Sequence, residues 1–92
     1  MMAVHPGRVL RREMAARDLS ANALAMALRT PSGRITDILN GKRGISPETA
    51  MRLARYFGNS ARFWLNLQTA YELALAEREL GDKIAAEVSP AA

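Results

Sequence analysis

The side chains best suited to specific binding chemistry lie between Ser20 and Arg43, where hydroxyl, amide and guanidinium groups occur at close spacing. These groups donate hydrogen bonds to oxygen acceptors, and the planar guanidinium group of arginine can donate two parallel bonds to a phosphate or a carboxylate. Such a set favours a polyanionic partner. Candidate donors in this stretch are Ser20, Arg29, Thr30, Ser32, Arg34, Thr36, Asn40, Lys42 and Arg43.

The net charge of +4 is distributed unevenly along the 92 residues. Residues 1–62 contain eleven Lys and Arg against four Asp and Glu, a balance of +7. Residues 63–92 contain two against five, a balance of −3. The first part therefore suits an anionic partner such as a nucleic acid. A solvated basic surface without function would show the same counts, so charge alone does not decide between the two.

Residues typical of catalysis and metal binding are scarce. The chain has no cysteine and a single histidine, His5, so thiolate or histidine metal sites and a His-dependent active site are not expected. Three serines that precede helical segments are explained as helix caps and have no neighbouring base. The glutamates of residues 72–79 fit a solvated helix face. We expect no enzyme, no metal site and no cofactor.

Short helices must position the candidate residues, because helix-capping signals recur along the chain. Serine is favoured as an N-cap, proline in the first helical turn, and glycine just beyond a helix end. On these signals we predict an all-α protein with one domain over residues 1–81 and a flexible tail over 82–92. The predicted helices are Arg8–Arg17, Ala21–Leu28 with Ser20 as N-cap, Pro31–Asn40 with Thr30 as N-cap, Pro47–Phe57 between Ser46 and Gly58, and Ala61 to about Leu80 between Ser60 and Gly81.

The second and third helices are joined by a turn of a few residues, which is the arrangement of a helix-turn-helix motif over residues 21–40. Ala25 is small at the position where the two helices must approach closely. Any helical hairpin needs a similar core, so this pattern is only moderately specific. The apolar residues expected to join the two helices are Leu24, Leu28, Ile35, Ile38 and Leu39.

Four stretches together resemble the HigA antitoxins, a branch of the helix-turn-helix regulators that includes the lambdoid phage repressors. These stretches are HPGRVLRREM, LSANALAMAL, GRITDILNGKRGISPETAMRLARYFG and FWLNLQTAYELALAE, and the resemblance covers about residues 5–80. It implies a lambda-repressor-like domain of five helices in which the third, over about residues 31–40, is the recognition helix. In helix-turn-helix docking, the N-terminal part of this helix enters the major groove of DNA.

Within the implied recognition helix, Arg34 is the first candidate for reading a base, because its guanidinium group fits two acceptors of guanine. The alternative is that Arg34 contacts only phosphate. Ser32 and Thr36 can donate to a base or to a phosphate. Asp37 would repel phosphate, so it either accepts from a cytosine amine or orients Arg34.

Residues 40–43 lie in the stretch NGKRG, residues 40–44, which matches the family, and they are expected to seat a phosphate. The donors would be the Asn40 amide, free backbone amides at the helix end and two cationic side chains. A compatible alternative is that Asn40 caps the helix and Gly41 ends it. Ser20 and Thr30 have a similar pair of roles, as N-caps and as phosphate contacts.

Two positions depart from the family pattern. Arg29 occupies a turn position that is usually glycine because its backbone is left-handed, a conformation that costs other residues about 1 kcal/mol. Either the turn differs or a phosphate contact by Arg29 offsets the strain. Gly33 stands where a polar side chain is usual, so it gives up a base contact and weakens the first turn of its helix. The operator sequences of relatives therefore cannot be transferred to this chain.

The last helix has more apolar surface than a core of four helices is expected to cover. We predict that it forms a two-fold homodimer together with the end of the fourth helix. Such a dimer would place two recognition helices about 34 Å apart on palindromic DNA. Trp64 is also explained as a core anchor, and Phe63 and Tyr71 as core or interface. The predicted interface residues are Phe63, Trp64, Leu67 and Tyr71.

The resemblance implies a DNA-binding antitoxin that represses its own operon and neutralises an mRNA-cleaving toxin of the HigB or RelE kind. A stand-alone helix-turn-helix regulator is the alternative, and a module that binds only protein is a third reading. The acidic C-terminal third and the first helix are both candidate toxin surfaces. No apolar run approaches the roughly 20 residues of a membrane helix, and MMAVHPGRV lacks a signal core, so we expect a cytoplasmic protein.

Overall fold

Five helices make up the secondary structure of residues 2–91, the part of the chain that the computed structural model describes. No strand forms within these residues. The predicted all-α fold of five helices is therefore confirmed. The helices are α1 (Pro6–Ala16), α2 (Ala21–Leu28), α3 (Ser32–Leu39), α4 (Pro47–Phe57) and α5 (Ala61–Glu87).

Three of the helices begin at the predicted serine caps. The hydroxyl oxygens of Ser20, Ser46 and Ser60 each accept from the backbone amide three positions along, at 3.1, 3.3 and 3.0 Å. Each bond satisfies one of the first-turn amides that have no partner inside the helix. These local bonds explain why α2, α4 and α5 begin where the sequence predicts.

The start of α1 was predicted at Arg8, and the helix begins instead at Pro6. The Gly7 amide donates to Nδ1 of His5 at 2.9 Å, so the single histidine of the chain acts as the N-cap. Gly7 also lies directly against α3, where a Cβ atom would overlap the carbonyl oxygen of Ile38. The amino end of α1 therefore touches the carboxyl end of α3.

The start of α3 also differs from the prediction. Pro31 is the N-cap, with extended backbone angles and no side-chain cap bond, and Ser32 is the first helical residue. The prediction of Thr30 as N-cap is wrong. The fixed φ of proline suits the extended cap position as well as it suits the first turn, so the motif Thr-Pro does not distinguish the two registers.

The core takes at least one large side chain from every helix. The six that have no exposed surface are Leu10, Leu24, Ile35, Ile38, Leu53 and Trp64. The indole nitrogen of Trp64 donates to Oδ1 of Asn59 at 2.9 Å, so the polar edge of this buried ring has a partner. The core thus joins α2 and α3 to the helices on either side of them.

The end of α5 is the largest departure from the predicted elements. The helix was expected to stop before Gly81 and to leave a flexible tail, yet it continues to Glu87. One internal glycine costs only about 1 kcal/mol, which is less than a helix stop requires. The last buried residue of α5 is Ala74, so the helix extends well beyond the core and the described chain measures 53 × 22 × 22 Å.

Candidate nucleic-acid interface

The helix-turn-helix motif is formed by α2, the turn of residues 29–31 and α3. Ala25 is buried, and its carbonyl oxygen accepts from the amide of Thr30 at 2.9 Å, which closes the turn. The small side chain at this position allows α2 and α3 to approach closely, as predicted. On α3, Ile35 and Ile38 have no exposed surface, so the inner face of the helix is fixed in the core.

The turn contains the left-handed residue that the family pattern predicts. Arg29 has φ 60° and ψ 44°, although it has a Cβ atom. Its amide donates to the carbonyl oxygen of Met26 at 3.2 Å, which ends α2. The turn therefore keeps the left-handed geometry of a glycine turn, with the strain that this places on an arginine. The guanidinium group is exposed and has no ion pair among residues 2–91.

Thr30 has a different environment from the predicted one. Its hydroxyl oxygen is out of contact with solvent and has no hydrogen-bond partner among residues 2–91. A phosphate can reach this oxygen only if the side chain rotates. The cap predicted for Thr30 is therefore absent, and its hydroxyl does not face solvent in this conformation.

The outer face of α3 presents short polar groups to solvent. Ser32, Gly33, Thr36 and Asn40 are exposed. The Thr36 hydroxyl donates to the carbonyl oxygen of Ser32 at 3.3 Å, and its lone pairs remain free to accept. A Cβ atom at Gly33 would have no neighbour within 4 Å, so the missing side chain leaves an open surface near the start of α3. An edge of DNA can approach the backbone closely there.

Arg34 and Asp37 are half-buried on the same helix. The sequence left open whether Asp37 orients Arg34 or accepts from a base. No ion pair joins these two residues in the described chain. The orienting role is therefore absent from the free protein, and both side chains keep their hydrogen-bonding groups for a ligand.

The loop after α3 differs from the predicted phosphate seat in one respect. The amide of Gly41 donates to the carbonyl oxygen of Ile38, and those of Lys42 and Arg43 both donate to that of Asp37, at 3.1, 2.8 and 3.2 Å. The expectation of free backbone amides is wrong, because all three close the carboxyl end of α3. Asn40 is the C-cap and Gly41 is left-handed with φ 74°, which confirms their structural roles. The exposed side chains remain available to a phosphate.

Two arginines that sequence reasoning did not single out fix the ends of the motif. Nη2 of Arg11 donates to the Leu39 carbonyl oxygen at 3.3 Å, and Nη1 of Arg52 donates to the Leu28 carbonyl oxygen at 2.9 Å. Both oxygens lie at helix carboxyl ends, where carbonyls lack internal partners and cations are favoured. Arg17, the C-cap residue of α1, forms an ion pair with Glu13. Three of the eleven Lys and Arg of residues 1–62 therefore already have hydrogen-bond partners within the protein.

The predicted dimer residues are placed unequally. Trp64 has no exposed surface in the isolated chain, so its prediction as an interface residue is wrong and its alternative role as a core anchor is confirmed. Leu67 packs against the core, and Tyr71 lies edge-on to His5 with ring centroids 4.9 Å apart. Phe63 is 40% exposed.

An exposed aliphatic stripe on α5 was missed by sequence reasoning. Leu73, Leu80, Ile84 and the cap residue Val88 are between 43% and 63% exposed. The signal was present as apolar residues seven and then four positions apart, which is helical spacing. The stripe was not predicted because α5 was expected to end near Leu80, before Ile84 and Val88.

Metal-binding clusters and membrane-spanning helices are both absent from residues 2–91. These residues contain no group of three or more His, Cys, Asp or Glu arranged to hold a metal ion. Within the same residues, no helix combines the length and the apolarity needed to cross a membrane.

Comparison with known proteins agrees with the geometry of the motif. A model of the helix-turn-helix domain matches residues 7–62, which include α1 to α4. The chain belongs to the helix-turn-helix family. Virulence-associated protein I of Dichelobacter nodosus is 51% identical to this helix-turn-helix protein over 80 residues, which is 86% of this chain and 74% of that protein.

Two solved structures extend the similarity to α5. An addiction module antidote protein of the HigA family from Coxiella burnetii matches with a TM-score of 0.97 and 48% identity, over 99% of this chain and 100% of that one. Antitoxin HigA of Pseudomonas aeruginosa, solved with the higBA promoter, matches with a TM-score of 0.96 and 43% identity, over 99% and 100%. The resemblance to the HigA antitoxins is confirmed for this helix-turn-helix protein.

Proposed function

We propose that this protein is a sequence-specific DNA-binding antitoxin that represses its own operon. The observation that carries the proposal is the outer face of α3, which is exposed and polar while Ile35 and Ile38 anchor its inner face. A helix held in this way can enter the major groove with its N-terminal half. The similarity of this protein to an antitoxin that was solved with promoter DNA supports operator DNA as the ligand.

The residues of the interface are proposed to divide between bases and phosphates. Arg34 reads a guanine through two hydrogen bonds, and Asp37, which has no ion pair within residues 2–91, accepts from a cytosine amine. Ser32 and Thr36 contact bases or the adjacent backbone. The exposed side chains of Ser20, Arg29, Asn40, Lys42 and Arg43 contact phosphate.

A homodimer is proposed as the DNA-binding form. Phe63 and the stripe of Leu73, Leu80 and Ile84 leave aliphatic and aromatic surface exposed along α5. Two-fold pairing of α5 would cover this surface. It would also offer two recognition helices to half-sites about one DNA turn, or about 34 Å, apart.

The proposal includes a toxin partner. The similarity to HigA antitoxins supports neutralisation of an mRNA-cleaving toxin of the HigB or RelE kind. Both proposed ligands, operator DNA and a ribonuclease that cuts mRNA, support a cytoplasmic location for the protein. The proposed role is binding, with no catalytic step.

Fluorescence anisotropy with the DNA upstream of the gene tests the proposal. A scrambled duplex of equal length and composition is the control, and both are measured over a salt series. We expect tight binding that prefers the upstream duplex and weakens steeply with salt, because released counterions drive phosphate contacts. Equal affinity for the two duplexes would contradict sequence-specific repression.

Co-expression tests the antitoxin role. The reading frame adjacent to the gene is induced alone and together with this protein, and growth is followed. Growth inhibition that the protein relieves supports neutralisation. Operator binding without relief would favour the stand-alone regulator.

A further inference from the structure

A side chain of α5 reaches the loop that is proposed to contact phosphate. Oε1 of Gln68 accepts from the backbone amide of Ile45 at 2.8 Å, across 23 positions of the chain. Ile45 is only 3% exposed, so this amide is removed from water. A buried amide without a partner destabilises the fold, which makes Gln68 the acceptor on which the loop depends.

The packing around Gly44 shows that the loop and Gln68 fit closely. A Cβ atom at Gly44 would lie 2.7 to 2.9 Å from the amide atoms of Gln68, which is closer than contacts in folded proteins allow. The lack of a side chain at Gly44 therefore lets the Gln68 amide reach Ile45. The hydrogen bond between Gln68 and Ile45 therefore depends on glycine at position 44.

The loop is held at two points. At its start, the amides of residues 41–43 donate to carbonyl oxygens of α3. At its end, the amide of Ile45 is held by Gln68 of α5. The amides of Lys42 and Arg43 belong to the first point, and the Gln68 bond fixes the chain two residues after Arg43, so their backbone has little freedom although their side chains are exposed.

We infer that Gln68 is a positioning residue that holds Lys42 and Arg43 where they meet a DNA phosphate. The inference rests on the proposed DNA binding and adds a residue that does not itself touch DNA. A cation whose backbone is already placed loses less conformational freedom on binding, so phosphate contact is stronger. It also links α5, the proposed dimer helix, directly to the DNA-contacting loop.

Three substitutions on α5 distinguish the loss of the Gln68 hydrogen bond from a general loss of stability. Gln68→Met keeps the length and approximate volume of the side chain and removes the acceptor. Gln68→Glu keeps an acceptor oxygen at the same position. Asn66→Ala is the matched control, because Asn66 is exposed on the same helix and its side chain forms no hydrogen bond among the described residues.

Amide hydrogen exchange in the free dimer tests whether Gln68 holds the loop. We expect Ile45 to exchange at least about tenfold faster in Gln68→Met, and at nearly the wild-type rate in Gln68→Glu and Asn66→Ala. Exchange of core amides and the circular dichroism of all variants should match wild type. Unchanged exchange at Ile45 in Gln68→Met would overturn the inference.

The salt series with upstream DNA tests whether the held loop matters for binding. We expect Gln68→Met to bind about tenfold more weakly, with the slope of log affinity against log salt smaller by about 1 per protomer. Faster exchange with unchanged DNA affinity would overturn the inference. Wild-type protein that fails to prefer upstream DNA would instead overturn the proposed function, and the exchange data would still decide whether Gln68 holds the loop.

Gly44→Ala provides an independent route to the same loss. Its Cβ atom would displace the Gln68 amide, so DNA affinity should fall about as far as in Gln68→Met. Because both changes remove one bond, the double variant should be no weaker than either single variant. Fully additive losses would contradict the shared role.

Discussion

Replacing Arg29 with glycine is expected to stabilise the protein. Arg29 is left-handed at φ 60° and ψ 44°, a conformation that costs an L-residue about 1–2 kcal/mol and costs glycine almost nothing. Glycine also gives the unfolded chain more freedom, which removes about 0.5–1 kcal/mol of the gain. We expect a net increase of about 0.5–1 kcal/mol in the free energy of unfolding.

Two further variants isolate the backbone contribution. Arg29→Ala removes the same side chain and keeps the strain, so Arg29→Gly should be the more stable of the two by the net amount given above. Gly58→Ala is the reverse change, because Gly58 ends α4 at φ 76° and a Cβ atom there would meet nothing within 4 Å. Because the added Cβ atom meets no neighbour, only the backbone strain of Gly58→Ala remains, and it should destabilise the protein by about 1 kcal/mol.

Thermal and urea unfolding measure these differences. Protein concentration must be held constant, since the stability of a dimer depends on it. For a chain of this size, 1 kcal/mol corresponds to a shift of about 4–8 °C in Tm. If Arg29→Gly were no more stable than Arg29→Ala, the strain assigned to this turn would be refuted.

Three further predictions concern the hydroxyl of Thr30, the DNA interface and the dimer. Thr30→Val should raise the free energy of unfolding by up to about 1–2 kcal/mol, because it removes a buried hydroxyl without a partner; a loss in urea unfolding would show that this oxygen is bonded. Arg34→Ala should weaken operator binding by about 1–3 kcal/mol and relax specificity at one position per half-site, whereas Lys42→Ala should weaken all duplexes alike. Equal, sequence-blind losses in anisotropy would mean that Arg34 holds only phosphate. Leu80→Lys combined with Ile84→Lys should shift the light-scattering mass towards one chain, and an undiminished two-chain mass would refute pairing through α5.

The starts of three helices could be predicted because their causes are local. A serine hydroxyl and an amide three positions along lie within one turn, so the sequence contains everything that the cap bond requires. The prediction of Thr30 as the N-cap of α3 was wrong because two registers of the Thr30-Pro31 pair satisfy the same local rules. The choice between them depends on how α3 packs, which no short segment determines.

The end of α5 and the loop that follows α3 show the limits of sequence reasoning more clearly. Gly81 was taken as a stop, but its helix penalty is small enough for the long helix to continue through it. The loop was expected to offer free backbone amides, and those amides instead close α3. The bond between Gln68 and Ile45 spans 23 positions, and nothing in the local pattern marks it.

The recognition helix itself was predictable to within one or two residues, because buried and exposed positions alternate with helical spacing. Which cations remain free was not predictable. Arg11 and Arg52 look like surface residues in the sequence, but each reaches a helix end that only the folded chain brings near. Counting charge therefore favoured an anionic partner but did not identify the side chains that are free to meet it.

The extension of α5 beyond Ala74 has a consequence for how the molecule opens. About a dozen residues are too few to form a stable helix alone in water, and this end has no buried residue to support it. It should unwind far more often than the rest of the chain, so limited proteolysis should begin there while α1 to α4 remain intact. A partner that covers Leu80 and Ile84 would suppress this local unwinding. The lifetime of this end of α5 is then set by how much of its time it spends covered by a partner.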